Sequence, residues 1–508
     1  MFSSLGHGQR CGIVLTERII VNIHVANLLS SLGARTVQNV SYVGISQILT
    51  LAFGLVTTTI LARLLTPSDF GIVGLGLVFL SLFYNIQDFG VLPAIVQKDS
   101  RVDESISVGT TLRWVIAVVL ASSLLLFSPF VSDYFGNDAI SLVMAVYALN
   151  LFILVLGFPA QVLLTRSLSF SSIAVAGIIQ SVVLSAVTIL LALAGFSYWS
   201  MVFGSIAGSI AFVAMLRYYE RKRYKPSVDL GLMRELLGFG KHLLVVGIML
   251  FVIFNVDQLV IAGVLGLTSL GYYFVAVRFG RTIGEQISGV ANRVLFPTMA
   301  RIKDDSERLK MGYIQSVRMI SIVAVPLTMG LSALSPTFVK SVLGDDWSPA
   351  ILPLSILCFQ GLINSLISPA SNIIIAMGKP RYMSIQTTIQ AVVLSILFYP
   401  TVVAFGVNGI CALSTFVSLL VMIYFLFVFS RIFRTDIVQM LLPIAPSLVS
   451  GSIMFGLMTV LVQLLSRTLL SLLMLAGIGF FVYLSCLVVF SKGRDIRDIV
   501  QLAKDAFK

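Results

Sequence analysis

The stretch "AGVLGLTSLG" (Ala262–Gly271) repeats, at a shift of 200 positions, the pattern of "ARLLTPSDFG" (Ala62–Gly71): Ala62, Leu65, Ser68 and Gly71 answer Ala262, Leu265, Thr268 and Gly271. A second pair follows in the same order. "LFSPFVSDYFGND" (126–138) and "ALSPTFVKSVLGDD" (333–346) both read Ser-Pro, then Phe-Val, then Gly with an Asp two residues on. Two matches in one order mark an internal duplication, so the first half of the chain and the second should build similar units.

Composition says where those units sit. Of 508 residues, 58% are hydrophobic and only 11% charged, with a mean hydropathy of +1.01. Soluble proteins carry about 25% charged residues. A chain this apolar cannot cover itself with polar surface, which implies an all-α polytopic membrane protein. A crossing helix takes about 20 apolar residues. The apolar runs then give fourteen candidates, near 40–64, 70–96, 106–131, 139–164, 171–195, 197–218, 242–265, 270–297, 313–342, 350–376, 381–404, 407–430, 440–464 and 468–490.

The expected organisation is a cytoplasmic leader (1–36), a first lobe of six helices (37–218), a cytoplasmic linker (219–241), a second lobe of six (242–430), two further helices (431–490) and a cytoplasmic tail (491–508). An interfacial helix over 11–29 is the alternative for the leader. Six is even, so the copies run in the same direction. Parallel repeats of this kind form transporters with substrate in a cavity between the halves.

Charge orients the chain. Alternate connections carry Lys98 and Arg101, Arg166, "RYYERKRYKP" (217–226), "RIKDDSERLK" (301–310), Lys379 and Arg381, and Arg431 and Arg434. On the other set only Arg467 is basic. Lys and Arg stay cytoplasmic, which puts both termini there. The net charge of +12 is therefore a topology signal with a bearing on anionic headgroups, and nucleic acid is not an expected partner. Cys11, Cys358, Cys411 and Cys486 are scattered, and His7, His24 and His242 have no metal-ligand spacing. No phosphate-binding or dinucleotide loop occurs. No cofactor, metal or catalytic group is expected.

One span breaks the rule of apolarity. "GYYFVAVRFGRTIGEQISGVANRVLFP" (271–297) holds Arg278, Arg281, Glu285 and Arg293. A charge at mid-membrane costs about 3 kcal/mol on insertion scales. At about 100° per residue, Arg278, Arg281, Glu285, Ser288, Gly289 and Asn292 share an arc of about 100°. Arg281 and Glu285 are spaced to pair. The second helix shows a weaker stripe of Ser81, Asn85 and Asp88, and the seventh carries Asn255, Asp257 and Gln258. Asp257 should lie at the depth of Arg278 or Arg281. Buried ion pairs that only fix packing are one explanation. The surplus of positive charge favours another: an anion-binding cavity in which guanidinium groups grip phosphate oxygens.

The residues also carry a family resemblance. "ARLLTPSDFGIVGLGLVFLSLFYNIQDFGVLPAIVQKD" (62–99), "LGLTSLGYYFVAVRF" (265–279) and "VLFPTMARIKDDSERLKMGY" (294–313) resemble the Wzx-type polysaccharide flippases. Within these they are most similar to the WzxC/ExoT branch of the multidrug/oligosaccharidyl-lipid/polysaccharide exporter superfamily. The resemblance spans about residues 35–430 and implies a flippase of the inner membrane. Its cargo would be a polyprenyl-pyrophosphate-linked oligosaccharide for O-antigen, capsule or exopolysaccharide. It implies a cavity lined by helices 1, 2, 7 and 8 with arginines toward the pyrophosphate or acidic sugars, positions compatible with Arg278, Arg281 and Arg293. The polar stripes add Asn292 and Asn85 as candidates toward substrate and Asp257, Glu285 and Asp88 as candidates for coupling. A polysaccharide polymerase and chain-length proteins are the implied partners, beside membrane lipids. Two alternatives stand: a cation-coupled drug exporter of the same superfamily, using Asp88 and Asp257, and a membrane polysaccharide polymerase or ligase, for which the outer loops are too short. Pro159, Pro326, Pro336, Pro353 and Pro369 are candidate kinks.

Overall fold

The computed structural model describes residues 44–289, 299, 305–379 and 381–491. The leader, most of the tail, and Asn292 and Arg293 lie outside the described residues. Among the described residues every regular element is helical, and twelve helical runs are long and apolar enough to cross a membrane.

Two of those runs are pairs of helices joined at a single glycine. Gly266 (φ 82°, ψ 173°) and Gly406 (φ 62°, ψ −153°) leave helical geometry, in a region that only glycine enters at little cost. The chain doubles back at the first. The Tyr273 hydroxyl donates to the Asp257 carboxylate across 16 positions, a separation of about 24 Å along a straight helix. At the second, the Tyr424 hydroxyl donates to the Tyr382 carbonyl at 3.2 Å. The expected outer loops there shrink to one residue each.

With these runs divided, the helices are α1 (Gly44–Leu64), α2 (Pro67–Asp88), α3 (Val102–Phe135), α4 (Ala139–Arg166), α5 (Phe170–Leu193), α6 (Trp199–Tyr219), α7 (230–265), α8 (267–289), α9 (Ser306–Phe338), α10 (Ile351–Ala376), α11 (381–405), α12 (407–433), α13 (Ala445–Leu464) and α14 (Leu469–Ser491). Thr66 starts α2 with a capping box. Its hydroxyl accepts from the Asp69 amide, Asp69 accepts from the Thr66 amide, and Pro67 needs no acceptor at the first turn. Pro353 sits in the first turn of α10, where no helical amide is missing, so it makes no kink. Pro159, Pro326, Pro336 and Pro369 do lie inside helices.

The duplicated glycines meet each other's copy. A Cβ on Gly71 would stand 1.9 Å from the Leu267 carbonyl oxygen, and one on Gly271 would stand 1.8 Å from that of Pro67. A shift of 200 exchanges the two contacts. The other matched pair behaves alike. Arg63 donates to the carbonyls of Val342, at 2.8 Å, and Ser341, while a Cβ on Gly263 would lie 3.2 Å from the Tyr134 hydroxyl. Tyr134 and Val342 hold equivalent places in the two motifs. At this end of the bundle the copies therefore touch across an approximate two-fold axis. Trp347 reinforces the contact, edge-on to Phe70 at 5.0 Å and donating to the Ala62 carbonyl at 2.8 Å.

The opposite, basic end is tied by ion pairs. Lys98 meets Glu235 at 2.8 Å, Arg101 meets Asp229 at 2.9 Å, and Lys222 meets Asp103 at 2.8 Å. The Leu232 amide and, after it, Arg101 hold the Asp229 carboxyl below the usual carboxylate range. A carboxyl held low when folded adds stability above its unfolded value and loses it as pH falls through its folded value. The Arg101–Asp229 pair thus stays ionised through neutral pH.

Two core clusters run through the bundle. One joins Phe70, Tyr147, Tyr273, Trp347 and Phe398. The other joins Val325, Phe429, Met454 and Tyr483, and it seats α13 and α14 on α9. There Gly451 lets Val325 approach, and the Tyr483 hydroxyl donates to the Ile322 carbonyl at 3.0 Å.

Candidate functional site

The site is built on α8, and glycines decide which way it faces. Gly280 and Gly284 form a small-xxx-small pair. A Cβ on Gly284 would lie 2.2 Å from the Gly361 carbonyl oxygen, and one on Gly361 would lie 2.8 Å from that of Gly280. Backbone contact with α10 fixes the rotation of α8. The polar arc then straddles two neighbours. Arg278 and Gly289 turn to α1, while Arg281, Glu285 and Ser288 turn to the space between α7, α10, α11 and α12.

On the α1 side, Gly54 makes room for a guanidinium. Nη2 of Arg278 lies 2.1 Å from where a Gly54 Cβ would be. Arg278 is half-buried and has no carboxylate or hydrogen-bond acceptor among the described residues. Two turns along α1, Gln47 faces Gly289, and its side-chain oxygen is buried without a donor. Between α1, α8 and α9 opens an apolar cavity of about 350 Å³, with Leu55, Phe279, Ile283 and Phe338 in its wall.

On the other side, Arg281 is bound among carboxylates. Its Nη1 is 3.6 Å from Asp257 and its Nε 3.7 Å from Glu285. It also lies over the Phe254 ring, 5.5 Å from the centroid. Asp257 is 1% exposed and accepts from Tyr273 and, at 2.8 Å, from the Gln258 amide. Asn364 donates to Glu285 at 3.3 Å. The expected proximity of Asp257 to an α8 arginine is thus found, with Arg281. A buried pair of this kind costs desolvation that only good geometry repays, and losing one member strands the other. Glu285, Gln360 and Asn364 help line a polar cavity of about 330 Å³.

The two remaining expected residues stand apart. Asp88 pairs with Arg113 of α3 at 3.0 Å, and that guanidinium lies 4.6 Å from the Phe158 centroid. Asn85 is exposed, donating to the Ser81 carbonyl at 2.8 Å, and faces Gly247 of α7. Sequence reasoning missed Arg113, although a charge inside the apolar run of α3 was a readable signal. It also missed Gln47 and Gly54, which only packing brings to Arg278. Among the described residues no group of three or more His, Cys, Asp or Glu is placed to hold a metal ion.

The fold and site have relatives. The chain is 27% identical over 357 residues to the lipopolysaccharide biosynthesis protein WzxC of Escherichia coli, covering 69% of this chain and 71% of that one. It is 27% identical over 347 residues to the succinoglycan biosynthesis transport protein ExoT of Rhizobium meliloti, covering 68% and 69%. Among solved structures, the lipid II flippase MurJ in an inward closed conformation superposes with a TM-score of 0.73 at 16% identity, over 89% of this chain and 99% of that one. An inward-facing multidrug transporter of the MATE family superposes with a TM-score of 0.57 at 16% identity, over 77% and 99%. At that identity the likeness is one of fold. Residues 60–352 match the family model described as polysaccharide biosynthesis protein. With more than half its length inside that match, the chain belongs to the polysaccharide biosynthesis protein family, in its Wzx-type transporter branch.

Proposed function

We propose that this protein flips a polyprenyl-pyrophosphate-linked oligosaccharide across the inner membrane, for O-antigen, capsule or exopolysaccharide synthesis. The observation that carries the reading is Arg278. A guanidinium inside a membrane protein with no acceptor among the described residues needs a reason, and an apolar cavity opens between α1, α8 and α9, the first two of which hold Arg278. That pairing suits an amphiphile with an anionic head and a hydrocarbon tail. The names of the relatives, one in lipopolysaccharide and one in succinoglycan synthesis, point the same way.

The two-fold contact at the Gly71/Gly271 end supports two lobes, α1–α6 and α7–α12, that rock about the site. The charge rule puts the basic end in the cytoplasm. The contacts then close the outer end, and cargo enters from inside. Asn85 on α2 extends the polar wall toward the cytoplasm, and Asn292 and Arg293 lie outside the described residues. Gly54→Ala tests the anion site gently. Its methyl group displaces only the tip of Arg278, so protein levels should hold while export falls about tenfold, the equivalent of one charged hydrogen bond.

Asp257, Arg281 and Glu285 are the coupling group in this reading. Cargo phosphate that draws Arg281 away leaves Asp257 open to a proton, so the two compete. Asp257→Asn should therefore flatten the pH profile of export. A variant that exports with the parental profile refutes the coupling.

The function itself is tested in a strain lacking this protein. Polyprenyl-pyrophosphate oligosaccharide should accumulate in the inner leaflet and clear on complementation. Heightened sensitivity to cationic drugs with no lipid-linked sugar would support the drug exporter instead.

A further inference from the structure

In the polar cavity between α8, α10, α11 and α12, the neutral amides and hydroxyls are the part that the flipping reading leaves unused. Three helices each turn polar residues into it from a bundle that otherwise faces hydrocarbon: Gln360 and Asn364 from α10, Gln386 and Gln390 from α11, and Ser414 and Ser418 from α12. Their spacing of four keeps each pair on one helix face. Neutral amides and hydroxyls are costly to bury without partners, and here the partnering is incomplete. Gln386 donates to Gln390 at 2.6 Å. The Gln360 side-chain oxygen has no donor although the residue is only 6% exposed, and Arg281 Nε has no hydrogen-bond acceptor.

We propose that this cavity is a second, separate binding site that takes one neutral pyranose ring of the glycan. The proposal rests on the reading that the cargo is a glycan. Amide and hydroxyl groups both donate and accept, as sugar hydroxyls do. Phe254 and Phe425 add apolar walls for the C–H face of a ring. Charged ligands are disfavoured from either sign, because Arg281 and Glu285 stand together in the wall and their charges cancel. A volume of about 330 Å³ lies at the small end of ligand sites and fits one ring with bridging waters. The site therefore reads the identity of one sugar, and it adjoins the arginine that holds the anion along the same polar arc of α8. Selectivity among glycans and grip on the common pyrophosphate are divided between two neighbouring sites on one helix.

The test uses the full-length protein in nanodiscs of phosphatidylethanolamine and phosphatidylglycerol, read by thermal unfolding. The probes are methyl glucoside, methyl galactoside, methyl mannoside, N-acetylglucosamine and N-acetylgalactosamine, each to saturation, with inorganic pyrophosphate and sodium chloride alongside. At least one sugar should raise Tm by about 2 °C. Gln360→Leu should raise Tm without ligand, because an unpartnered oxygen is removed, and should abolish the sugar response. Gln386→Leu should abolish it as well. Pyrophosphate should still stabilise both variants and should fail only with Arg278→Ala. No response to any of the five sugars overturns the proposal, as does a response that survives both substitutions. A sodium response that Gln360→Leu removes, with none to sugars, makes the cavity a cation site and overturns it too. Sugar binding without any pyrophosphate effect upholds this site and refutes the anion role of Arg278.

Discussion

Arg278→Ala should reduce export about 100-fold or more while the protein inserts at its normal level. The magnitude is that of truncating one member of a desolvated charge pair, the other member being the cargo's pyrophosphate. Insertion survives because Arg278 has no partner among the described residues to strand, and its removal relieves a desolvated charge. Arg278→Lys should recover only part of the activity, since an ammonium cannot form the two-pronged contact with phosphate oxygens. Arg281→Ala makes the contrast. It leaves Asp257 and Glu285 without the cation between them, so it should lower the amount of folded protein as well as export. Glu285→Gln, which keeps the guanidinium charge and the contact to Asn364, should be milder. Membrane-fraction protein measured beside accumulated lipid-linked intermediate separates the two arginines. Equal loss of protein in both variants would return Arg278 to a packing role.

The second large effect belongs to the glycine contact. Gly71→Val and Gly271→Val each place a side chain where only backbone fits, 1.9 Å and 1.8 Å from a carbonyl oxygen at the Cβ alone. Neither oxygen belongs to a movable side chain, so the two copies must part. Each substitution should cut export more than tenfold, on the scale of overpacking a tight interface. The double variant should be hardly worse than either single one, because residues in one contact are not additive. Trp347 reports the parting directly. It is 1% exposed at that contact, and in a chain with Trp114 and Trp199 replaced its fluorescence should become accessible to acrylamide in both variants. Continued shielding of Trp347 would show that the contact absorbs the side chain elsewhere.

The matched glycines Gly71 and Gly271 were legible in the sequence, and each is set against backbone of the other stretch, where a side chain has no room. The membrane class and the spans followed from length and apolarity. The direction of the polar stripe on α8 did not follow. An arc of about 100° is wide enough to face two neighbours, and the choice between them came from Gly280 and Gly284 against α10. That pair was present in the sequence but read only as part of a span. Asp88 looked like a free carboxylate because Arg113 lies on another helix, 25 positions away. Gln47 and Gly54 carried no signal of their own, since an amide and a glycine in a membrane helix mean little until an arginine is found opposite. Pro353 was read as a kink although the expected start at 350, one residue from the observed Ile351, already put it in the first turn.

Gly266 and Gly406 also bear on how the molecule presents itself. With two of the turns opposite the basic end reduced to a single left-handed glycine, that face offers little slack chain. A peptide tag spliced in at either glycine has to pull two helices apart, whereas between α3 and α4 the turn 136–138 gives the same tag a longer connection to join. Antibodies raised against the exposed surface will find their epitopes at the longer turns, and reporter fusions that map the chain by insertion will pass over two of its reversals.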